Sequence, residues 1–128
     1  MNGRKILLDS VILIDHFNGR QQATRYLKRH ARRLCISVIT RAEVLVGFET
    51  EESVGPRRLL DSMTCLAIDR DIADLAADLR RRHRWKLPDA LQAALALHHG
   101  YRLITRNTKD FPPGQHEFVE TPYTLPSP

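Results

Sequence analysis

Four short apolar runs divide this chain: Lys5-Ile6-Leu7-Leu8, Leu34-Cys35-Ile36-Ser37, Thr64 to Ile68 and Arg102-Leu103-Ile104-Thr105. Each is too short for a buried helix and suits a buried strand. The segments between them carry helical spacing. Consecutive strands joined through helices lie parallel, because a parallel pair cannot be closed by a tight hairpin. The expected fold is therefore α/β: a three-layer α/β/α domain around a short, mostly parallel sheet of four or five strands.

The intervening segments have recognisable ends. Val11 to Phe17 reads as a helix stopped near Asn18-Gly19. Gln21 to Ala31 places Ala23, Tyr26, Leu27 and Ala31 on one side, with basic residues outside. Thr40 to Phe48 reads as a helix, and Gly55-Pro56 opens another that runs to Met63. Asp69 to Arg82 repeats Ile72, Leu75, Ala76 and Leu79 at i, i+3, i+4, i+7. The last helix has Pro88 in its first turn and Gly100 past its end, and between Ala90 and Leu97 it is apolar nearly all round. Glu117-Phe118-Val119 reads as a final edge strand. Residues 1–120 are expected to form one domain, with 121–128 a loosely ordered, proline-containing tail.

The composition suits this reading. The chain has 128 residues, 42% apolar and 27% charged, which matches one domain with a single core rather than a disordered segment. No run approaches the roughly 18 apolar residues of a membrane span. The basic start, Met1 to Lys5, leads into only Ile6-Leu7-Leu8 before Asp9 and does not read as a secretory signal. Cys35 and Cys65 form no C-x-x-C pair and read as reduced, buried thiols, so a cytoplasmic location without membrane attachment is expected. The net charge of +5 favours polyanionic partners. Basic residues cluster at Arg25, Lys28, Arg29, His30, Arg32 and Arg33, and again at Arg80, Arg81, Arg82, Arg84 and Lys86. Each cluster reads equally well as a solvated helix face.

Four carboxylates carry the functional reading. Asp9 follows the first strand directly, and Asp110 follows the fourth by a short loop. Glu43 and Asp89 stand early in helices whose N-termini face the same sheet edge in such folds. In open α/β sheets, ligands gather beyond the carboxyl ends of the strands. Each acid also has a structural reading: Asp9 as a helix cap, Asp110 as a turn residue, Glu43 and Asp89 as favourable charges at helix N-termini. Their joint placement favours a site. Such a group repels itself unless cations neutralise it. Hard divalent ions such as Mg²⁺ or Mn²⁺ match an all-oxygen donor set, and two of them about 3.5–4 Å apart can drive phosphodiester hydrolysis.

Other groups are less informative. The six histidines form no zinc-type spacing, and no G-x-S-x-G or Walker loop is present. Ser37 and Thr105 read as local backbone hydrogen-bonding residues. Trp85, between Arg84 and Lys86, reads as a packing or protein-contact residue before a base-stacking one.

The motifs together resemble the PIN-domain family, in particular the VapC-type toxins of bacterial toxin–antitoxin pairs. Ile6-Leu7-Leu8-Asp9-Ser10 with Leu13-Ile14-Asp15 is similar to the first motif, and Ile36 to Glu43 to the second. Leu87-Pro88-Asp89-Ala90 with its Ala-rich helix is similar to the third, and Leu103 to Phe111 to the fourth. The resemblance spans nearly the whole chain and is specific in combination and order. It implies a PIN fold, Mg²⁺-dependent endoribonuclease activity (Mn²⁺ substituting) and neutralisation by a VapB-type antitoxin, with a toxin homodimer inside a hetero-oligomer. It places metal roles on Asp9, Glu43, Asp89 and Asp110, with Asp9 and Asp89 the direct ligands. Ser10, Asn107, Arg106 and Trp85 become candidate substrate contacts. The family's first motif usually has a polar residue, often Asn, two positions after its Asp; here that residue is Val11. Val11 keeps a second reading open, a PIN-like module that holds RNA or an antitoxin without cutting.

Overall fold

The structure is a computed structural model and describes residues 4–125. Five strands form one sheet: β1 (Ile6–Leu8), β2 (Leu34–Ser37), β3 (Thr64–Leu66), β4 (Arg102–Ile104) and β5 (Val119–Glu120). Their order is β3-β2-β1-β4-β5, and every neighbouring pair is parallel. The helices are α1 (Ser10–Phe17), α2 (Gln21–Arg29), α3 (Val38–Leu45), α4 (Val54–Asp61), α5 (Arg70–His83) and α6 (Leu87–His99). Short 3-10 turns at Ala31–Arg33 and Thr50–Glu52 join them to their neighbours. The expected three-layer α/β arrangement is thus the observed one. Among the described residues no helix is long and apolar enough to cross a membrane.

The pleat of the central strand divides the core. Leu7 points to one face, where Cys35 and Leu103 meet Ile72, Ala76, Ala90, Ala93 and Ala94 of α5 and α6. Ile6 and Leu8 point to the other, against Ile12 and Leu13 of α1, Leu27 of α2, Val44 of α3 and Leu60 of α4. The helical layers therefore differ: two helices cover one face and four cover the other. The alanines let α6 lie close to both the sheet and α5, which folds back on it through the connector Arg84-Trp85-Lys86. Trimming Leu7 or Leu8 to alanine, each fully buried, would cost about 2–5 kcal/mol.

Several boundaries move for local reasons. Helix α3 begins at Val38, two residues before the expected Thr40, because Ser37 ends β2 and caps the helix at once: its Oγ accepts from the Thr40 amide at 3.0 Å. Asp69 caps α5 in the same way, accepting from the Ile72 amide at 3.0 Å. Helix α6 ends where Gly100 adopts a left-handed φ of 71°. Cys35 is buried as expected, but Cys65 is exposed. The reason is topological: β3 is an edge strand, and its residues 64 and 65 face solvent. Of the expected tail, residues 126–128 lie outside the described residues. Tyr123 donates a hydrogen bond from its hydroxyl to Asp15 Oδ2 at 2.8 Å.

Candidate metal centre

The strand order reverses direction at β1. Chain progression runs from β1 through β2 to β3 on one side and continues with β4 and β5 on the other. A crevice opens at the carboxyl ends of strands at such a switch point, and it is the usual ligand site of open parallel sheets. Asp9 stands immediately after β1, and Thr105 immediately after its neighbour β4.

Asp9 is nearly buried and tightly held. Its amide donates to the Ile104 carbonyl at 2.9 Å, which continues the β1–β4 ladder by one residue. Its Oδ1 accepts from the Ser10 amide at 2.8 Å, so the residue also caps α1. Its Oδ2 accepts from the Thr105 hydroxyl at 2.6 Å. The capping role and the site role thus coexist in one side chain. The sequence reads Thr105 first as a partner of local backbone. It does accept from the Asn107 amide at 3.0 Å, but its proton goes to Asp9, 96 residues away in sequence. Sequence spacing holds no trace of that pairing, since it arises only when β4 lies beside β1.

Asp110 is fixed through its own loop. Asn107 Nδ2 donates to Asp110 Oδ2 at 3.0 Å, and Asn107 Oδ1 accepts from the Asp110 amide at 3.3 Å. The indole Nε1 of Trp85 donates to the Asp110 carbonyl at 2.9 Å. Asp89 lies in the first turn of α6 and is half-buried. Burial pushes its carboxyl up to about 6, and the nearby charges of Asp9, Asp110 and Glu43, with hydrogen bonding to Asp110, act in the same direction. Asp89 therefore senses the other three acids at once. Glu43, on α3, is the exposed member.

The chemistry of this donor set fits a hard divalent cation. All four groups are oxygen donors, and every influence on Asp89 favours its neutral form, so an added cation relieves what the fold has left unbalanced. Among the described residues no three Asp, Glu, His or Cys side chains converge tightly enough to enclose an ion by themselves. Mg²⁺ does not require such an enclosure, because it keeps several waters and takes only one or two carboxylates directly.

The remaining candidates are placed differently. Ser10 is buried at the start of α1, and its amide serves Asp9. Asn107 serves Asp110. Arg106 turns away from the acids: its Nε and Nη2 donate to Asp15 Oδ2 and Oδ1 at 2.8 and 2.9 Å. Trp85 is 4% exposed, stacked on His83 and tilted against Phe111. An indole walled in on both sides offers no free face to a base, so packing accounts for it. Sequence reasoning missed Asp15 as a buried partner of Arg106, and it missed Thr40 and Gln92. Gln92 is almost fully buried on α6, and its Nε2 donates to Thr40 Oγ1 at 2.6 Å. The one polar side chain in an otherwise apolar stretch was the available signal.

Comparison with known proteins identifies the family and the fold. The chain matches the PIN domain family over residues 6–112. It is 35% identical to Ribonuclease VapC10 of Mycobacterium tuberculosis, over 94% of this chain and 95% of that protein. A toxin–antitoxin complex from Klebsiella pneumoniae contains a chain with TM-score 0.88 and 39% identity, covering 94% of this chain and all of that one. A chain of DNA-bound VapBC from Salmonella typhimurium superposes with TM-score 0.63 at 25% identity, over 84% of this chain and 90% of that one. By sequence and by fold, the chain belongs to the PIN domain family.

Proposed function

We propose that this chain is a divalent-metal-dependent endoribonuclease toxin, neutralised by a cognate VapB-type antitoxin. The observation that carries the reading is the set of four acids at the switch point: burial raises the Asp89 carboxyl, the other three acids add to the rise, and among the described residues no cation offsets it. The relative named Ribonuclease VapC10 and the Klebsiella toxin–antitoxin complex support the activity and the partner. Asp9 and Asp89 hold the cation directly, while Glu43 and Asp110 act through water or complete a second site. Mg²⁺ is the natural occupant and Mn²⁺ its substitute. When bound there, the cation supplies electrophilic stabilisation to the phosphodiester and its attacking water.

The chain's own residues do the rest. Thr105 and the Ser10 amide fix the direction of Asp9. Asn107 and Trp85 hold the Asp110 loop. Arg84 and Lys86, in the connector that leads into the Asp89 helix, supply positive charge on the approach of an RNA backbone. An apolar groove formed by Ile14, Phe17, Val44 and Phe48 runs beside Glu43 and suits an antitoxin segment entering the site. The complex is a hetero-oligomer built on a toxin homodimer, and the chain acts in the cytoplasm.

The test is cleavage of a structured RNA by purified protein with Mg²⁺ or Mn²⁺. Wild type is expected to cut, and Asp9→Asn and Asp89→Asn to be inactive. Unchanged cutting by both variants overturns the site. RNA binding that weakens with salt, without cutting under any divalent ion, would instead favour the non-cleaving module that Val11 leaves open.

A further inference from the structure

Helix α6 buries Ala90, Gln92, Ala93, Ala94, Leu95 and Ala96. Five of these are apolar, and an apolar side chain at 92 would meet the same packing need. Gln92 is 2% exposed, and its Oε1 has no hydrogen-bond partner. A buried carbonyl without a partner lowers stability. The choice of glutamine therefore has to be explained by what its other end does.

That other end joins α6 to α3 and, through it, to β1. Gln92 Nε2 donates to Thr40 Oγ1 at 2.6 Å. The Thr40 hydroxyl in turn donates to the Leu8 carbonyl at 3.4 Å, the peptide group that precedes Asp9. Ser37, at the end of β2, closes the group with its Oγ 3.4 Å from Thr40 Oγ1. Residues three apart on a helix share a face, so each end of the Gln92–Thr40 bond lies one helical turn from an acid, after Asp89 on α6 and before Glu43 on α3. The bond also links the two helical layers, since α6 packs on one face of the sheet and α3 on the other.

We propose that Gln92 is a positioning residue that sets the spacing of Asp89, Glu43 and Asp9 for the divalent cation. It touches neither cation nor substrate. It acts through Thr40, whose hydroxyl is shared between the Glu43 helix and the Asp9 strand. Groups that hold metal ligands in place commonly change metal affinity 10–100-fold, and Gln92 acts at one remove from them, through Thr40 and the Leu8 carbonyl. The inference rests on the metal-dependent reading given above.

The test uses Gln92→Met, which keeps the length of the side chain and removes both the donor and the orphan carbonyl. The melting temperature of the metal-free protein is expected to equal or exceed that of wild type. The Mn²⁺ dissociation constant, read by titration calorimetry, is expected to rise about tenfold. RNA cleavage is expected to return towards the wild-type rate when Mn²⁺ is raised by the same factor. A merely structural glutamine would give the reverse pattern, a lower melting temperature with unchanged Mn²⁺ affinity, and that result overturns the proposal. Thr40→Val removes the other end of the bond and is read in the same way where Gln92→Met does not fold. Loss of the fold in both variants overturns the proposal too. Wild-type protein that binds no Mn²⁺ overturns the metal reading and this inference with it; equal affinity in wild type and variant overturns this inference alone.

Discussion

Asp15 and Asp89 are both sequestered carboxylates near the loop from Thr105 to Asp110, and the protein treats them in opposite ways. Asp15 is 5% exposed and carries its own cation: Arg106 binds both of its oxygens, and Tyr123 donates a third hydrogen bond. The pairing raises the Arg106 guanidinium above its ordinary value, chiefly through the hydrogen bonds to Asp15. Asp89 has no such partner and is pushed up by burial and by three other acids. The basic residues of a chain with net charge +5 are therefore not simply distributed where acids need them. One acid group is closed and saturated by the fold. The other is left open, and a cation from outside completes it.

The sharpest way to break the comparison is to remove charge from the open group. Asp9→Asn or Asp89→Asn is expected to lower RNA cleavage on the order of a thousandfold, the scale on which a principal electrostatic group of an active site acts. Initial-rate assays at saturating Mn²⁺ check this, and a loss below tenfold would place the chemistry elsewhere. In the closed group, Asp15→Asn should act on stability. It leaves Arg106 without its counter-ion, and because the guanidinium is about one-third exposed, the loss is expected near 2–3 kcal/mol. A urea midpoint identical to wild type would show that the pair is not what holds this region. Tyr123→Phe keeps the ion pair and removes one hydrogen bond, for a smaller loss of about 1 kcal/mol in the same measurement.

The smallest effect separates the groups by pH. The Asp89 carboxyl is raised from 3.8 to about 6 in the folded protein, so the folded state binds its proton more tightly than the unfolded state does. Its contribution is present below about pH 4 and is lost as the pH rises through about 6. With screening at this half-exposed position, the change is expected below about 1 kcal/mol. Metal-free wild type should thus lose a little stability across that window, and Asp89→Asn should lose less. Added Mn²⁺ should restore wild type at neutral pH and leave the variant nearly unchanged. Parallel melting curves for the two proteins would contradict an unbalanced Asp89.

The open group was readable from the sequence because it follows the strands. Asp9 and Asp110 come after apolar runs that suit parallel strands, and Asp89 opens a helix that starts at the same edge. Glu43 reads from the sequence as early in its helix but stands in the second turn of α3, because Ser37 caps that helix and starts it at Val38. The closed group was not readable. Asp15 and Arg106 are 91 residues apart, and their pairing depends on α1 and the end of β4 meeting in space. Cys65 was misjudged for a related reason: its run is apolar, but strand order puts β3 at the edge. Trp85 was the hardest to weigh, because its basic neighbours suggest nucleic acid while its ring belongs to the core. Gln92 was hidden by its neighbours, since seven of the eight residues from Ala90 to Leu97 are apolar.

Trp85 gives the molecule a built-in spectroscopic probe. It is the single tryptophan of the chain, so all indole emission comes from one place. Its ring stacks on His83 at a centroid distance of 4.2 Å, and its N–H holds the carbonyl of Asp110. Anything that shifts the Asp110 loop strains that hydrogen bond and alters the quenching by the stacked imidazole. Emission from unlabelled protein should therefore start blue-shifted, change in intensity as Mn²⁺ is titrated in, and stay flat in Asp89→Asn.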